Sequence, residues 1–455
     1  MTGELTRRGW VALVAVCMGF FVIQLDATIV NVALPAIGHA LGGSVGGLQW
    51  VVDAYTLPLA AFLLTAGSRA DRLGARRLFV IGLAVFGAAS AVCAAAPTLA
   101  VLVGARAVQG AGAAALLPSS LALIVHQFAD AGARARALGV WGGVAAVGLC
   151  AGPLLGGGLV SLVGWRGIFV VNVPICALVA GLIARWVDET PRQHGARTDL
   201  VGTALGAAAL AGLSGGFIEA GHLGWTAALP LMLLGAGAAM GAAFVAWEAR
   251  HPAPMLPLAI FRTRAFSAAV AVGVLFNLCL YGALLCLALF LQRGQGQSPA
   301  QAGLTILPLT LAVGVGATLS GRLTARFGPR APMLAGTSCG AAGAALLSSG
   351  GPDASLALVV AGATVLGFCS LAMPAMTSVA VGVVEPARAG LASGVLNAGR
   401  QTGGALGVAL LGALLASSQG PSLDVPLKVA AGCYVLAVVL SWLTRAGAAR
   451  PRRFQ

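Results

Sequence analysis

Fourteen apolar runs follow one another along this chain, with only short polar segments between them. A helix needs roughly 20 apolar residues to cross about 30 Å of hydrocarbon. Of the residues, 59% are hydrophobic and 9% are charged, whereas a soluble domain carries about 25% charged residues. The chain is therefore predicted to be an all-α integral membrane protein. The predicted spans lie near residues 10–36, 48–67, 77–96, 99–124, 137–162, 167–187, 200–218, 226–247, 265–291, 301–321, 331–349, 355–381, 390–416 and 427–446.

The basic residues are distributed unevenly between the predicted connections. If both termini face the cytoplasm, 22 of the 27 Lys and Arg residues fall on cytoplasmic segments. Only Arg166, Arg293 and Lys428 fall outside, and Arg106 and Arg400 lie within spans. Since membrane proteins concentrate Lys and Arg in cytoplasmic loops, this distribution predicts an even number of spans and cytoplasmic termini. The net charge of +14 lies in short clusters between apolar runs, which excludes nucleic acid as a partner.

An internal repeat divides the chain. The segment 67–76 recurs in degraded form at 321–330, so that Gly67, Arg72 and Gly74 each meet an identical residue 254 positions later. Two parallel halves around a central site are a transporter architecture, because rocking of one half against the other exposes the site alternately to the two sides. The predicted organisation is a six-helix bundle at 1–187, two inserted transmembrane helices at 188–254, and a second six-helix bundle at 255–455.

Four motifs stand in order on successive predicted spans. They are the run 25–35 in span 1, the loop 67–77, the segment 106–112 in span 4, and G-x-x-x-G-P-x-x-G-G at 148–157 in span 5. Together they resemble the major facilitator superfamily, in its fourteen-helix branch of drug:proton antiporters, although the loop departs from the family pattern at Arg69 and Ala75. The resemblance implies a secondary transporter that exports small lipophilic drugs, or an antibiotic or other secondary metabolite, in exchange for protons by alternating access.

Three ionisable residues in the first half are candidates for proton coupling: Asp26, Arg106 and Asp53. A charge near the middle of the bilayer costs about 2.5–3.5 kcal/mol on insertion scales, so Asp26 needs a cavity, a cation or a proton. Arg106 cannot deprotonate, and Asp26 and Asp53 are its nearest possible partners in depth. The alternatives are a fixed salt bridge between spans and, for Asp53, a solvated helix end.

Polar side chains within the apolar spans are candidates for lining a substrate cavity. Arg400 lies roughly 15 Å inside span 13 at ~1.5 Å per residue. It is expected either to bind an anionic substrate group or to balance Asp26. The full predicted set is Asn31, Tyr55, Gln109, Asn397, Arg400 and Gln401.

The loop between spans 2 and 3 and the glycines of span 5 are candidates for moving parts. Asp71 is expected to accept hydrogen bonds from a neighbouring helix N-terminus and so to latch the two halves in one state. The alternatives are topology alone for the loop charges and simple packing for span 5. The predicted gate comprises Gly67, Asp71, Arg72, Gly74, Arg76 and Arg77. The predicted hinge or packing residues are Gly148, Gly152, Pro153, Gly156 and Gly157.

Neither a metal site nor an enzyme is predicted. The five His and nine Cys residues lack metal-ligand spacing, and no ATP-binding motif is present. We expect no cofactor, a proton gradient as the energy source, and the lipid bilayer, protons and a small lipophilic substrate as partners of a monomer. The chain has 26 Arg residues against one Lys and is rich in Ala and Gly, which suggests a high-GC bacterial gene and therefore a bacterial inner membrane. The alternative function is proton-coupled uptake or exchange of a polar metabolite.

Overall fold

The computed structural model describes residues 7–128, 131–191, 199–252, 254–351, 354–384, 389–417 and 422–444. All regular secondary structure within these ranges is helical. Each predicted span falls on one helix, or on two helices in direct succession. The helices are α1 (Arg7–Leu41), α2 (Val45–Leu73), α3 (Ala75–Ala95), α4 (Leu99–Gln127), α5 (Ala131–Val163), α6 (Gly167–Val170), α7 (Asn172–Trp186), α8 (Leu200–Leu223), α9 (Ala228–Arg250), α10 (Arg264–Leu289), α11 (Pro299–Phe327), α12 (Arg330–Ser348), α13 (Leu356–Gly367), α14 (Ala372–Gly382), α15 (Ala389–Ala416) and α16 (Asp424–Trp442).

Ten helical segments in the described part of the chain are long and apolar enough to cross a membrane. In this set α6 and α7 form one segment, and α13 and α14 form another. Four further helices lie where spans were predicted but outside the ten, namely α2, α5, α12 and α15. The chain is thus a multi-pass, all-helical membrane protein, and the count of fourteen spans stays a prediction.

The second and fourth helices of each half begin at side-chain caps. The hydroxyls of Ser44 and Ser298 accept hydrogen bonds from the backbone N–H three residues on, at 3.2 and 3.3 Å. Thr98 and Ser355 cap α4 and α13 in the same way. Such a cap satisfies one of the N–H groups that the first helical turn leaves free. Ser44 and Ser298 stand 254 residues apart, at the spacing of the sequence repeat.

Glycines in left-handed conformation make the matching turns of the two halves. Gly42 (φ 72°) corresponds to Gly296 (φ 65°), and Gly74 (φ 94°) to Gly328 (φ 75°). Positive φ is nearly free of strain only for glycine. The turns at Gly74 and Gly328 lie at the end of the molecule that we call the basic end, because the arginine-rich loops are there. The turns at Gly42 and Gly296 lie at the opposite end, which we call the far end.

Helix packing follows the repeat. In the first half α1 packs on α5 and α2 on α4, while in the second half α10 packs on α15 and α11 on α13. Contacts between the halves run from α5 to α11 and from α15 to α2. Exchanging the halves converts one of these contacts into the other, as pseudo-twofold symmetry requires. The inserted helix α8 packs on α9, α2 and α15.

The two halves meet at the far end. The Gln49 amide of α2 donates hydrogen bonds to the Val408 and Ala409 carbonyls of α15, at 3.2 and 2.9 Å. The Gln292 amide, just after α10, donates to the Val32 carbonyl of α1 at 3.0 Å. One apolar core joins both halves there, whereas the core of the first half near the basic end is a separate cluster. The structure is therefore a state that is closed at the far end.

Candidate functional site

A buried ion pair lies inside the first bundle. The Arg106 guanidinium of α4 donates through Nη1 to the Asp26 carboxylate of α1, and both side chains are at most 1% exposed. Arg106 Nε also donates to the Val51 carbonyl of α2 at 3.0 Å. The guanidinium carbon lies 4.2 Å from the centre of the Tyr55 ring, a cation–π contact. Of the two predicted partners for Arg106, the structure selects Asp26.

Neutral polar groups complete the environment of this pair. The Gln109 amide donates to Asp26 Oδ1 at 3.0 Å and to the Ser90 hydroxyl at 2.8 Å. The Asn172 amide donates to the same Asp26 oxygen at 2.9 Å. Gln109 Oε1 in turn accepts from Arg106 Nη1 at 2.7 Å. All five side chains are almost fully buried, so each charge is compensated by fixed partners instead of water.

This buried network connects five helices of the first half: α1, α2, α3, α4 and α7. Its central carboxylate accepts three hydrogen bonds, which is the arrangement that makes a buried charge tolerable. Gln109 belongs to this enclosed network, and its prediction as a cavity-lining residue is wrong. The expectation that Arg400 balances Asp26 is also wrong, because Arg106 occupies that position.

Asp53 lies on α2 in a different situation. Its side chain is 0% exposed, and both carboxylate oxygens lack a hydrogen-bond partner of good geometry. Gln49 and Thr56 lie about one turn away on the same face of the helix. Gln49 contacts α15, and Thr56 lines the cleft that α15 shares. Asp53 thus lies at the seam between the halves, and the alternative of a solvated helix end is excluded.

A narrow cleft of about 10 Å³ lies between the halves, which is enough space to hold roughly one water. Tyr55 and Gln401, two of the predicted cavity residues, line it. Asn31 does not, because its amide donates back to the Ala27 and Thr28 carbonyls of its own helix. The lining residues are Ile23, Gln24, Ala27, Tyr55, Thr56, Leu59, Tyr281, Gln401 and Gly404.

Arg400 and Asn397 lie beside this cleft on α15. Arg400 Nη1 donates to Asn397 Oδ1 at 3.5 Å, and its Nε is buried without an acceptor. Its guanidinium carbon lies 5.8 Å from the centre of the Phe276 ring of α10. No salt bridge to Arg400 occurs among the residues that the structure describes. The second half therefore has a cation without a salt-bridge partner on α15, whereas the first half encloses an ion pair between α1 and α4.

The loop at the basic end is held by residues from beyond α7. The Glu189 carboxylate accepts hydrogen bonds from the backbone N–H groups of Arg76 (2.9 Å) and Arg77 (3.2 Å), at the start of α3. The Gly74 Cα faces this carboxylate so closely that a side chain there would collide with it. A carboxylate at a helix N-terminus is stabilising, both through the free N–H groups and through the helix dipole.

The other predicted gate residues show different roles. The Arg76 side chain donates to the Ala184 carbonyl at 2.5 Å, which connects α3 to α7. Arg72 is exposed, and Gly67 packs loosely near Pro118. The Asp71 side chain, on which the predicted latch depends, lies outside the described residues.

The glycines of α5 make close helix contacts. A side chain at Gly148, Gly152 or Gly156 would collide with α1, whereas one at Gly157 would collide with the Pro299 carbonyl at the start of α11. The Pro153 carbonyl faces Gly303 of α11, again too closely for a side chain there. α5 runs through Pro153 as one helix. In this state the motif therefore packs α5 against α1 and, across the halves, against α11.

Three residues of the site were missed by the sequence reasoning: Ser90, Asn172 and Glu189. Asn172 offered a signal, because it is an amide within an apolar run. Ser90 did not, since a serine in a helix commonly bonds its own backbone, as this one does to the Phe86 carbonyl at 2.8 Å. Glu189 lies in the connection after α7, and only the packing of α3 on α7 shows what it contacts.

Comparisons with known proteins give the same picture as the geometry. The family model described as Major Facilitator Superfamily matches residues 16–307 and 270–454. The multidrug resistance protein Stp of Mycobacterium tuberculosis is 40% identical over 92% of this chain and 78% of its own length. The methylenomycin A resistance protein of Streptomyces coelicolor is 38% identical, over 90% and 86%. The puromycin resistance protein pur8 of Streptomyces alboniger is also 38% identical, over 96% and 91%.

Solved structures show the same fold at low sequence identity. A variant of the nucleoside transporter NupG superposes with a TM-score of 0.67 at 13% identity, over 96% of this chain and 100% of that chain. The human organic anion transporter MFSD10 gives a TM-score of 0.67 at 16% identity, over 95% and 98%. The chain therefore belongs to the Major Facilitator Superfamily of membrane transporters, and its relatives there are multidrug and antibiotic resistance proteins.

Proposed function

We propose that this protein exports small lipophilic drugs, or an antibiotic, in exchange for protons by alternating access. The export direction is supported by the resistance proteins that are 38 to 40% identical to it. The proton part is supported by one observation above all: Asp53 is a fully buried carboxylate without a hydrogen-bond partner of good geometry, at the seam between the halves. An ionised carboxylate buried in this way is costly, and a proton removes that cost.

In the proposed cycle, Asp53 carries the proton while the far end is closed. In this state α2 packs against α15 along the seam, and the Gln49 amide donates hydrogen bonds across it. Loss of the proton towards the cleft leaves a buried charge, which favours opening of the seam at the far end. The Asp26–Arg106 pair couples this event to the rest of the bundle, because Arg106 contacts both the α2 backbone and the Tyr55 ring.

The narrow cleft fits this scheme. A drug-sized ligand occupies a pocket of roughly 300–1,000 Å³, far more than the cleft of about 10 Å³ offers. Substrate binding therefore requires the halves to separate, and opening towards the basic end is easier because the far end is the tightly packed one. Lipophilic substrates suit a lining that includes Ile23, Ala27 and Leu59.

We further propose that the chain has fourteen spans with both termini in the cytoplasm, and that it works as a monomer in a bacterial inner membrane. It needs no cofactor and is not an enzyme. A proton driving force of about 200 mV supplies roughly 4.6 kcal/mol per proton. At about 1.4 kcal/mol per factor of ten, one proton sustains a drug gradient of about a thousandfold.

Everted membrane vesicles test the proposed function. Vesicles with a pH-sensitive dye inside are energised, and lipophilic compounds of positive, neutral and negative charge are added in turn. Proton efflux that follows a compound, together with uptake of that compound into the vesicle, is the expected result. A compound that is transported while the proton gradient is unaffected would contradict antiport.

A further inference from the structure

We propose that the transported molecule carries an anionic or readily ionised acidic group, and that this group pairs with the Arg400 guanidinium beside the cleft. The inference rests on the proposed function, because it names the substrate class of the same site. Its three supports are the incomplete bonding of Arg400, the positions of the acidic residues in the second half, and the uncharged lining of the cleft.

Arg400 is poorly satisfied by the protein. A guanidinium carries five N–H donors and stays charged at all physiological pH values. Here one donor makes a long bond of 3.5 Å to Asn397, and the buried Nε has no acceptor. By contrast, Arg106 gives its donors to a carboxylate, an amide oxygen and a backbone carbonyl. The bonding capacity that remains on Arg400 is therefore suited to a ligand.

The second half has no acidic residue that could compensate Arg400 from a neighbouring helix. Between residues 255 and 455 the sequence contains three acids, Asp353, Glu385 and Asp424. The first two lie in connections between predicted spans, and Asp424 starts α16, where it pairs with Lys428 at 2.8 Å. In the first half Asp26 is already paired with Arg106. Asp53, on α2 across the seam, makes no salt bridge with Arg400 among the described residues. An anion from outside the protein can therefore supply the missing partner.

Arg400 adjoins residues of α15 that line the cleft. Its Cγ would touch a side chain at Gly273, so its stem runs along α10, while Gln401 and Gly404 of the same helix line the cleft. The cleft lining contains no carboxylate, and its polar members, such as Gln24, Thr56 and Tyr281, are uncharged or protonated at neutral pH. A lipophilic cation would meet a like charge at Arg400, whereas an anion would gain charge-assisted hydrogen bonds.

Two dyes that share a xanthene frame but differ in charge provide the test: the anion fluorescein and the cation rhodamine 6G. Transport is measured in energised everted vesicles with wild-type protein, Arg400→Gln, Arg400→Lys and the control Arg326→Gln, which alters an exposed arginine at the basic end. We expect fluorescein transport to fall by about tenfold or more in Arg400→Gln, because the charged donor is lost. Arg400→Lys should retain part of it, and Arg326→Gln nearly all of it.

Binding to purified protein in nanodiscs separates this inference from the proposed function. Fluorescein polarisation should report binding to wild-type protein and at least tenfold weaker binding to Arg400→Gln. Fluorescein binding that depends on Arg400, without transport, would support the anionic substrate class and contradict the proposed export. Transport of rhodamine 6G, with no fluorescein binding, would sustain export and overturn the anionic class. Equal fluorescein binding by wild-type protein and a folded Arg400→Gln, judged by an unchanged melting temperature, would overturn it as well.

Discussion

The two halves share one framework but treat charge in opposite ways. In the first half Asp26 and Arg106 are enclosed by five helices, and both charges of this pair have fixed partners. In the second half Arg400 stands beside the cleft with one long hydrogen bond. A duplicated scaffold therefore does not imply duplicated chemistry. One half provides a fixed link between helices, and the other provides the cation that we propose pairs with an anionic ligand.

The sequence shows how the difference arose within the repeat. At the 254-residue spacing of the repeat, Asp26 corresponds to Leu280, so the acid of α1 has an apolar counterpart on α10. The second-half equivalent of α4 is formed by α13 and α14, and no acidic or basic residue lies between Leu356 and Gly382. The helix caps and turn glycines are repeated, whereas the ion pair is not.

The largest effect, on thermal stability, should come from removing the carboxylate of the enclosed Asp26–Arg106 pair. Asp26→Ala leaves the Arg106 charge buried without its carboxylate, a change that typically costs about 3–5 kcal/mol. We expect a large drop in the thermal unfolding temperature in detergent. The double variant Asp26→Ala/Arg106→Met should recover a large part of the loss, because the uncompensated charge is gone as well. An unchanged unfolding temperature in the single variant would show that the pair is not a structural link.

A second change makes the second half resemble the first. Asn397→Asp replaces an amide oxygen 3.5 Å from Arg400 Nη1 with a carboxylate of nearly the same shape. Arg400 then has an internal partner, so anionic dye transport should fall by about tenfold while stability is retained. Dye uptake into everted vesicles measures the effect, and Asn277→Asp, which introduces an acid on α10 beside Gly404, is the comparison variant. Undiminished anion transport by Asn397→Asp would show that Arg400 does not pair with the charged group of the substrate.

The smallest effect concerns the contact between the halves. Gln49→Leu removes the amide that donates to the Val408 and Ala409 carbonyls, bonds worth about 1 kcal/mol each on average. The far end should open in a larger fraction of molecules. Double electron–electron resonance measures this population through the distance between spin labels placed at the turns of Gly42 and Gly296. Gln127→Leu, at the basic end of α4, is the control; equal distance distributions in all three proteins would remove Gln49 from far-end closure.

Much of the framework could be predicted from the sequence. Apolar length located the helices, and the repeated loop located two copies of one unit, because both signals are local and follow from the bilayer and from duplication. The depth of Arg106 restricted its partner to Asp26 or Asp53 but could not choose between them. That choice depends on which face of α1 turns towards α4, a property of packing that span lengths do not contain.

The site was predicted less completely, for a similar reason. Asp26, Arg106 and Arg400 were identified because a charge in a span is rare, but Ser90 is chemically ordinary in a membrane helix. Gln109 was assigned to the cavity, although its amide points into the bundle to the Asp26 carboxylate. Polarity within a span indicates that a residue has a partner. It does not indicate whether that partner is the protein or a ligand.

Proton release from the purified protein tests the central claim most directly. Wild-type protein, Asp53→Asn and the control Asp424→Asn, which alters a half-exposed acid at the start of α16, are placed in weakly buffered detergent with a pH indicator. A compound that wild-type vesicles export is then added. The proposed role of Asp53 predicts a proton released on binding by wild-type protein and by Asp424→Asn, and none by a folded Asp53→Asn. Release of the same size from Asp53→Asn would contradict it, and the proton would have to be carried by another group.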